Sequence, residues 1–455
     1  MELPSFKKRL YLSGIDWLIA TMDRHASSRT GAGNHSTLII EFDGRLDAEA
    51  LKERLDEISK ALPLLFGRVS RDLVNLAPYW RTDRRARNLK LETAEAADEK
   101  AFDGILRATL NRPFSGKREH LRFALVRRGN RGDALLMTFD HKILDAKGAE
   151  MFLRLLSDDG WRETLAETAE AAENGRDPVL RDWREQFESG KTVQRKMIAA
   201  SKEGCFGASD TAENPKNRPP ASARSEFGAA FAEFDSETTP RISRAAERNA
   251  GFMMETPFLL AVSATALRNA TAPGTDIRCF VPVPLDTRSK PPSPKETFFN
   301  HHSFVFFHFD VGKDASLKEI SHGIRAQLME AVADDFPAEM ERATRPLRIF
   351  PKILMAKAMD LPFDGKICSF AFANVGVSAA PEEILGLKVE SIRHMPRTPS
   401  PPGLGMFFNS RGGKLAATVS ADSALWPAET AEKTIDEIEK ILRGEADRTA
   451  DGESL

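Results

Sequence analysis

Cysteine is scarce in this sequence, whose 455 residues include only Cys205, Cys279 and Cys368, far apart from one another. They form neither a CxxC pair nor a metal-ligand spacing, so we expect free thiols in a reducing compartment and no metal site. Basic residues are not in excess either, because 65 Lys and Arg face 67 Asp and Glu, a net charge of −2. Proteins that bind nucleic acid by neutralising phosphates usually carry a basic excess, so we expect no nucleic-acid partner.

Long apolar runs are also missing. No window approaches the ~20 apolar residues of a transmembrane helix, and residues 1–20 lack the apolar core of a secretory signal. Hydrophobic residues make up 41% and charged residues 29% of the chain, which is the balance of an ordinary globular protein. We therefore expect a cytoplasmic protein with at most peripheral membrane contact, and the length predicts two to three folding units.

Helix and strand patterns are mixed in both halves of the chain. Asp47 precedes a helical pattern with Leu51, Leu55, Ile58 and Leu62 on one face. Apolar runs at 121–128 and 134–139 predict a hairpin, and the ranges 277–285, 303–309 and 366–377 predict further strands. Strict strand–helix alternation is absent, so we predict an α/β fold with mixed sheets rather than a doubly wound sheet.

The composition changes between residues 165 and 225, where Pro215, Pro219 and Pro220 interrupt regular structure. We therefore predict an N-terminal lobe at 1–164, a partly helical linker at 165–225 and a C-terminal lobe at 226–444. Thr256-Pro257 has the pattern of an N-cap and a first helical position. The final helix is predicted at 430–442, ended by Gly444, with a polar, frayed tail at 445–455.

Residues 81–90 form a basic run, RTDRRARNLK, for which two interpretations remain open. The run is either a solvated loop or a patch that binds phosphate.

The segment directly after the second hairpin strand, Asp140-His141-Lys142-Ile143-Leu144-Asp145-Ala146-Lys147-Gly148, contains the strongest candidate for chemistry. His141 lies where a strand turns into a helix. A neutral imidazole, with an ordinary pKa near 6.5, can take a proton from a hydroxyl or an amine. Asp145 need not touch the imidazole, because it can anchor the turn through a buried cation.

This segment resembles the His-His-x-x-x-Asp-Gly signature of the coenzyme A-dependent acyltransferase superfamily, which includes chloramphenicol acetyltransferase, condensation domains and wax ester synthase/diacylglycerol acyltransferases. His141 and Asp145 match the catalytic histidine and the aspartate, whereas Asp140 and Ala146 replace the first histidine and the glycine. The resemblance extends along most of the chain and is closest in pattern to the wax ester synthase group. It is carried by LSGIDWL, by the segment that begins RLDAEALKERL, by VPVPLDTR, by the segment that begins ANVGVSAAPEE and by GKLAATVSAD. That group also has an Asn-Asp pair where Thr256-Pro257 stands here.

The resemblance implies two chloramphenicol acetyltransferase-like lobes that meet in a V, with the active site in a tunnel between them. His141 would be the catalytic base, and Asp145 would form a buried ion pair with Arg288 that supports the site. Asp140, Gly148, Asn300 and Asn374 are possible site-lining residues. Because a carboxylate favours a neighbouring imidazolium, we expect Asp140 to raise the pKa of His141.

Three functions stay open at this point. The first is transfer of an acyl group from acyl-CoA to a hydroxyl group, with the thioester as co-substrate and no bound cofactor. The second is a condensation enzyme that takes its donor from an acyl carrier protein and forms an ester or an amide. The third is a non-catalytic relative, since Asp140 and Ala146 depart from the signature.

Overall fold

The computed structural model describes residues 9–82, 87–129, 131–157, 160–173, 182–211, 225–359 and 361–452. Its two larger sheets have six and four strands, beside a three-stranded sheet and a two-stranded pair. The α-helices in these ranges are α1 (Gly14–Thr30), α2 (Ala48–Ala61), α3 (Glu99–Asn111), α4 (Ala146–Phe152), α5 (Trp161–Glu173), α6 (Trp183–Glu203), α7 (Thr238–Ala250), α8 (Glu255–Thr271), α9 (Leu317–Ala333), α10 (Phe336–Thr344), α11 (Lys352–Ala358) and α12 (Thr430–Gly452). The strands are β1 (Arg9–Tyr11), β2 (His35–Phe42), β3 (Arg68–Arg71), β4 (Pro78–Arg81), β5 (Leu91–Ala96), β6 (Leu121–Arg128), β7 (Ala134–Asp140), β8 (Phe227–Phe234), β9 (Ile277–Asp286), β10 (His302–Val311), β11 (Ala371–Val377), β12 (Glu383–Ile384), β13 (Leu387–Pro396), β14 (Leu404–Arg411) and β15 (Lys414–Asp422).

The first sheet has six strands in the order β12-β13-β2-β7-β6-β5. Every residue of β7 is buried, because β7 lies between two neighbours and both faces of the sheet are covered. Strands β5 and β6 are parallel, while β2, β6, β7 and β13 pair antiparallel. The predicted hairpin of β6 and β7 is confirmed, and so is the mixed α/β class.

The second sheet has four strands in the order β11-β14-β15-β8 and is again mixed, because β11 and β14 are parallel. Strands β9 and β10 form a separate antiparallel pair in register from His302–Asp286 to Val311–Ile277. Helix α8 is buried along most of its length between these strands and the other helices of this lobe.

One segment crosses between the lobes. Strand β13, which the sequence analysis assigned to the C-terminal lobe, pairs with β2 of the first sheet, so that Ile392 is opposite Ile40 and Pro396 is opposite Ser36. The ends of β2, β7 and β13 consequently lie side by side, and this edge positions the site described below.

Two predicted helix bounds are wrong. Helix α8 begins at Glu255 rather than at Pro257, and the Thr256 hydroxyl accepts a hydrogen bond from Asn374 instead of capping the helix. The last helix continues to Gly452, beyond Gly444, because Ala446 is buried in the core of the C-terminal lobe. Of the predicted tail 445–455, residues 453–455 lie outside the described residues.

The segment 165–225 is partly helical, as predicted, and contains the end of α5 and all of α6. The prolines named above, Pro215, Pro219 and Pro220, lie outside the described residues, as do residues 83–86 of the basic run. Within the described ranges, no single helix is long and apolar enough to cross a membrane; α7 and α8 reach the threshold only together, and the pair is bent by 91°.

Candidate active site

A cavity of about 250 Å³ lies where the ends of β7, β2 and β13 face residues of β9, β10 and β11. His141, Asp145 and Asn374 line it together with Arg288. Most of the remaining lining is apolar and includes Ile19, Met22, Pro282, Phe304, Phe372 and Phe407. The cavity therefore combines residues from both lobes, and His141 is one of its lining side chains.

The His141 ring is positioned by the turn after β7. It packs edge-on against Phe139 with a centroid distance of 5.3 Å, and among the described residues none forms a hydrogen bond with it. Burial lowers the pKa of His141 to about 4, although the nearby Asp145 carboxylate favours the protonated form. The imidazole is therefore neutral at pH 7 and can accept a proton.

Asp145 caps helix α4, and its carboxylate is fully engaged. Oδ1 accepts hydrogen bonds from the Gly148 backbone N–H at 2.8 Å and from Arg288 Nη2 at 2.6 Å. Oδ2 accepts one from the His301 backbone N–H at 2.9 Å. Burial alone would raise the pKa of Asp145, but His302 and Arg288 together hold it well below its usual range.

The predicted ion pair between Asp145 and Arg288 is present. Both side chains are buried, with 8% and 2% of their surface exposed. Arg288 also donates to Asp286 Oδ1 at 2.9 Å and to the Glu296 carbonyl at 3.1 Å. The pair joins the turn that carries His141 to the segment after β9, so it ties the two halves of the site together.

Gly148 and Asn300 support the site from outside the cavity. A Cβ on Gly148 would clash with the Thr297 carbonyl and lie 3.1 Å from Asp145 Oδ1, so only glycine fits there. Asn300 Nδ2 donates to the His141 carbonyl at 3.0 Å and to Asp16 Oδ1 at 3.2 Å. Neither residue lines the cavity, in contrast to what the sequence analysis suggested, because both lie behind the turn.

Asp140 does not line the cavity either. Its Oδ2 lies 2.8 Å from His120 Nδ1 and 2.9 Å from Lys142 Nζ, and Lys142 also pairs with Asp23. Asp140 does favour the protonated form of His141, as expected, but burial outweighs this effect and the pKa of His141 is lowered. Asp140 belongs to a buried network of charged and polar side chains beneath the turn, together with His120, Lys142 and Asp23.

The sequence analysis missed two histidines of the cavity. His302 Nδ1 lies 3.7 Å from Asp145 Oδ2, and His394 Nε2 lies 2.8 Å from the fully buried carboxylate of Glu150. Both rings belong to strands far from residue 141 in sequence, so no local sequence spacing predicts that they lie at the cavity. His302 follows His301 directly in the sequence and begins strand β10.

Asn374 lines the cavity, and its Nδ2 donates a hydrogen bond to the Thr256 hydroxyl at 3.2 Å. Cys368 also lines the cavity, but burial raises the pKa of its thiol far above the usual range. Within the described part of the chain, no group of three or more His, Cys, Asp or Glu side chains is placed to hold a metal ion.

No protein-family model matches the chain, and no curated protein matches it. Solved structures do match over its whole length. Trichothecene 15-O-acetyltransferase from Fusarium sporotrichioides superposes with a TM-score of 0.66 at 12% identity, covering 97% of this chain and 98% of that one. The first condensation domain of the calcium-dependent antibiotic synthetase superposes with a TM-score of 0.62 at 14% identity, covering 97% of each chain.

Polyketide synthase associated protein 5 from Mycobacterium tuberculosis gives a TM-score of 0.60 at 11% identity, covering 97% of this chain and 99% of that one. The chain therefore has the two-lobed fold shared by condensation domains and by this kind of acetyltransferase, as the resemblance implied. A particular closeness to the wax ester synthases is not among these findings.

Proposed function

We propose that the protein is an acyltransferase in which His141 acts as the general base. The observation that carries the proposal is the imidazole at the cavity wall, which burial keeps neutral and to which no described residue is hydrogen-bonded. Its ring nitrogens are available to a substrate. Asp145 and Arg288 stabilise the turn through their own hydrogen bond and form none with the ring.

In the proposed reaction, an acceptor hydroxyl group gives its proton to His141 as its oxygen attacks the carbonyl carbon of a thioester. A new C–O bond forms, the C–S bond breaks, and the proton passes from His141 to the leaving thiolate. A positioned general base contributes roughly 10²–10⁴-fold, and holding donor and acceptor together lowers the barrier further. The apolar lining of the cavity suits an acyl chain.

The donor in this proposal is acyl-CoA, which is a co-substrate rather than a bound cofactor. A carrier protein presents the same thioester, so the test must include both donors. Purified protein is incubated with acyl-CoAs of several chain lengths, or with an acylated carrier protein, and with a panel of alcohols and amines. The proposal predicts free thiol release that depends on the acceptor, and product analysis distinguishes an ester from an amide.

Thiol release with acyl-CoA supports the coenzyme A-dependent enzyme, while release with the carrier alone supports the condensation alternative. Absence of acceptor-dependent release from every donor contradicts the proposal and favours a non-catalytic relative. We further propose that the protein works in the cytoplasm, where both kinds of donor occur.

A further inference from the structure

A second cavity, of about 620 Å³, lies in the N-terminal lobe and shares no lining residue with the His141 cavity. Three segments form it, namely residues 65–68, 87–90 and 115–121. Among the described residues its lining contains five cationic side chains and one carboxylate: Arg68, Arg87, Lys90, Lys117, Arg118 and Glu119. The whole chain carries a net charge of −2, so this excess of positive charge is a local property.

Glu119 is the one carboxylate among the described lining residues, and its hydrogen bonds go to other groups. Glu119 accepts hydrogen bonds from the Ser115 backbone N–H and from Arg122 Nη2, the latter at 3.4 Å. Burial would raise the pKa of Glu119, but these hydrogen bonds outweigh burial and lower it. The Glu119 carboxylate therefore forms its hydrogen bonds with its own loop and with Arg122, and Arg122 does not line the cavity.

The cavity also has a fixed floor. Leu65, Leu89 and Leu121 are buried beneath it, and the His120 ring is held by Asp140 Oδ2 at 2.8 Å and the Gly67 carbonyl at 2.9 Å. Arg68 Nε is buried and has no hydrogen-bond partner among the described residues. Lys90 and Lys117 stand exposed at the rim. A rigid floor with cations around it is the arrangement of an anion site rather than of a solvated loop.

We propose that this cavity binds a ligand that carries phosphate groups. Guanidinium groups bind phosphate oxygens through paired hydrogen bonds, and lysines add point charges around them. Arg87 and Lys90 belong to the basic run 81–90, so the proposal assigns phosphate binding to part of that run. The proposal does not rest on acyl transfer, because it concerns a separate cavity.

Phosphate groups can reach the cavity from two sources, namely coenzyme A or a separate phosphorylated metabolite such as a nucleotide. Titration calorimetry with inorganic pyrophosphate, ADP and coenzyme A, at low and at high salt, tests the site. The variant Lys90→Glu/Lys117→Glu reverses two exposed rim charges, and Lys414→Glu reverses an exposed lysine on the β14–β15 hairpin as a matched control.

We expect pyrophosphate to bind the wild-type protein with an affinity that falls with salt, and the double variant to bind about tenfold or more weakly. Lys414→Glu should bind as the wild type does. If coenzyme A loses affinity in the double variant as pyrophosphate does, coenzyme A is a ligand of this cavity; if only pyrophosphate and ADP do, the source is a separate metabolite. Absence of pyrophosphate binding at low salt, or equal binding by a correctly folded double variant, overturns the proposal.

Discussion

Removal of either partner of the Asp145–Arg288 ion pair should destabilise the protein strongly. Arg288→Met leaves the Asp145 carboxylate buried with only backbone N–H groups and His302 around it. Asp145→Asn removes the charge that compensates Arg288, which keeps only the half-exposed Asp286 and a carbonyl. Breaking a buried pair by removing one partner costs about 3–5 kcal/mol, and we expect Asp145→Asn near the lower end because Asp286 remains.

Urea unfolding, followed by tryptophan fluorescence, measures this loss. The matched control is Arg278→Met, which breaks the ion pair with Asp310 on neighbouring strands, where 44% and 59% of the two side chains are exposed. Exposed pairs contribute little, so this control should leave the unfolding midpoint nearly unchanged. If Arg288→Met behaved like Arg278→Met, the argument from burial would be refuted.

The pH dependence of the same loss gives an independent check. The folded pKa of Asp145 is depressed, so the carboxylate stabilises the fold at every pH above its unfolded pKa of about 3.9. The stability difference between wild type and Asp145→Asn should therefore stay constant from neutral pH down to about pH 5. It should shrink only as the pH falls further, towards the folded pKa.

Two further outcomes follow from the site. Because burial lowers the pKa of His141 to about 4, the acidic limb of the pH profile of kcat/KM should lie near pH 4. An acidic limb near the ordinary histidine value of about 6.5 would contradict the buried environment of the ring. Gly148→Ala should lower the free energy of unfolding by about 1–3 kcal/mol, because the new Cβ would clash with the Thr297 carbonyl. Urea unfolding measures this loss, and Gly116→Ala is the control, since a Cβ there meets nothing within 4 Å.

Much of the site was predictable because its central part is local in sequence. The turn from β7 into α4 brings His141 and Asp145 together, and the apolar run before it marks a buried strand. Ser13 and Asp16 form a capping box, a pattern of two residues three positions apart, and Asp16 also accepts hydrogen bonds from Asn300 behind the turn. Arg288 required the family resemblance, since it lies 143 positions from Asp145.

The rest depends on tertiary contacts that no local pattern encodes. The residues of β13 lie within the predicted C-terminal lobe, and only the pairing of β13 with β2 brings His394 to the cavity. The Thr256-Pro257 pair has the pattern of a helix start, but the Thr256 hydroxyl accepts a hydrogen bond from Asn374 on a distant strand. Asp140, which replaces the first signature histidine, has His120 and Lys142 around its carboxylate, and His120 is distant from it in sequence.

The central claim is that His141 is the base for acyl transfer, and one comparison tests it most directly. The rate of acceptor-dependent thiol release from acyl-CoA is measured for the wild type, for His141→Ala and for His322→Ala, which removes an exposed imidazole on α9. We expect His141→Ala to lower kcat by roughly 10²-fold or more with its fold intact by circular dichroism, and His322→Ala to match the wild type. A folded His141→Ala variant that transfers acyl groups at a near-normal rate would contradict the account.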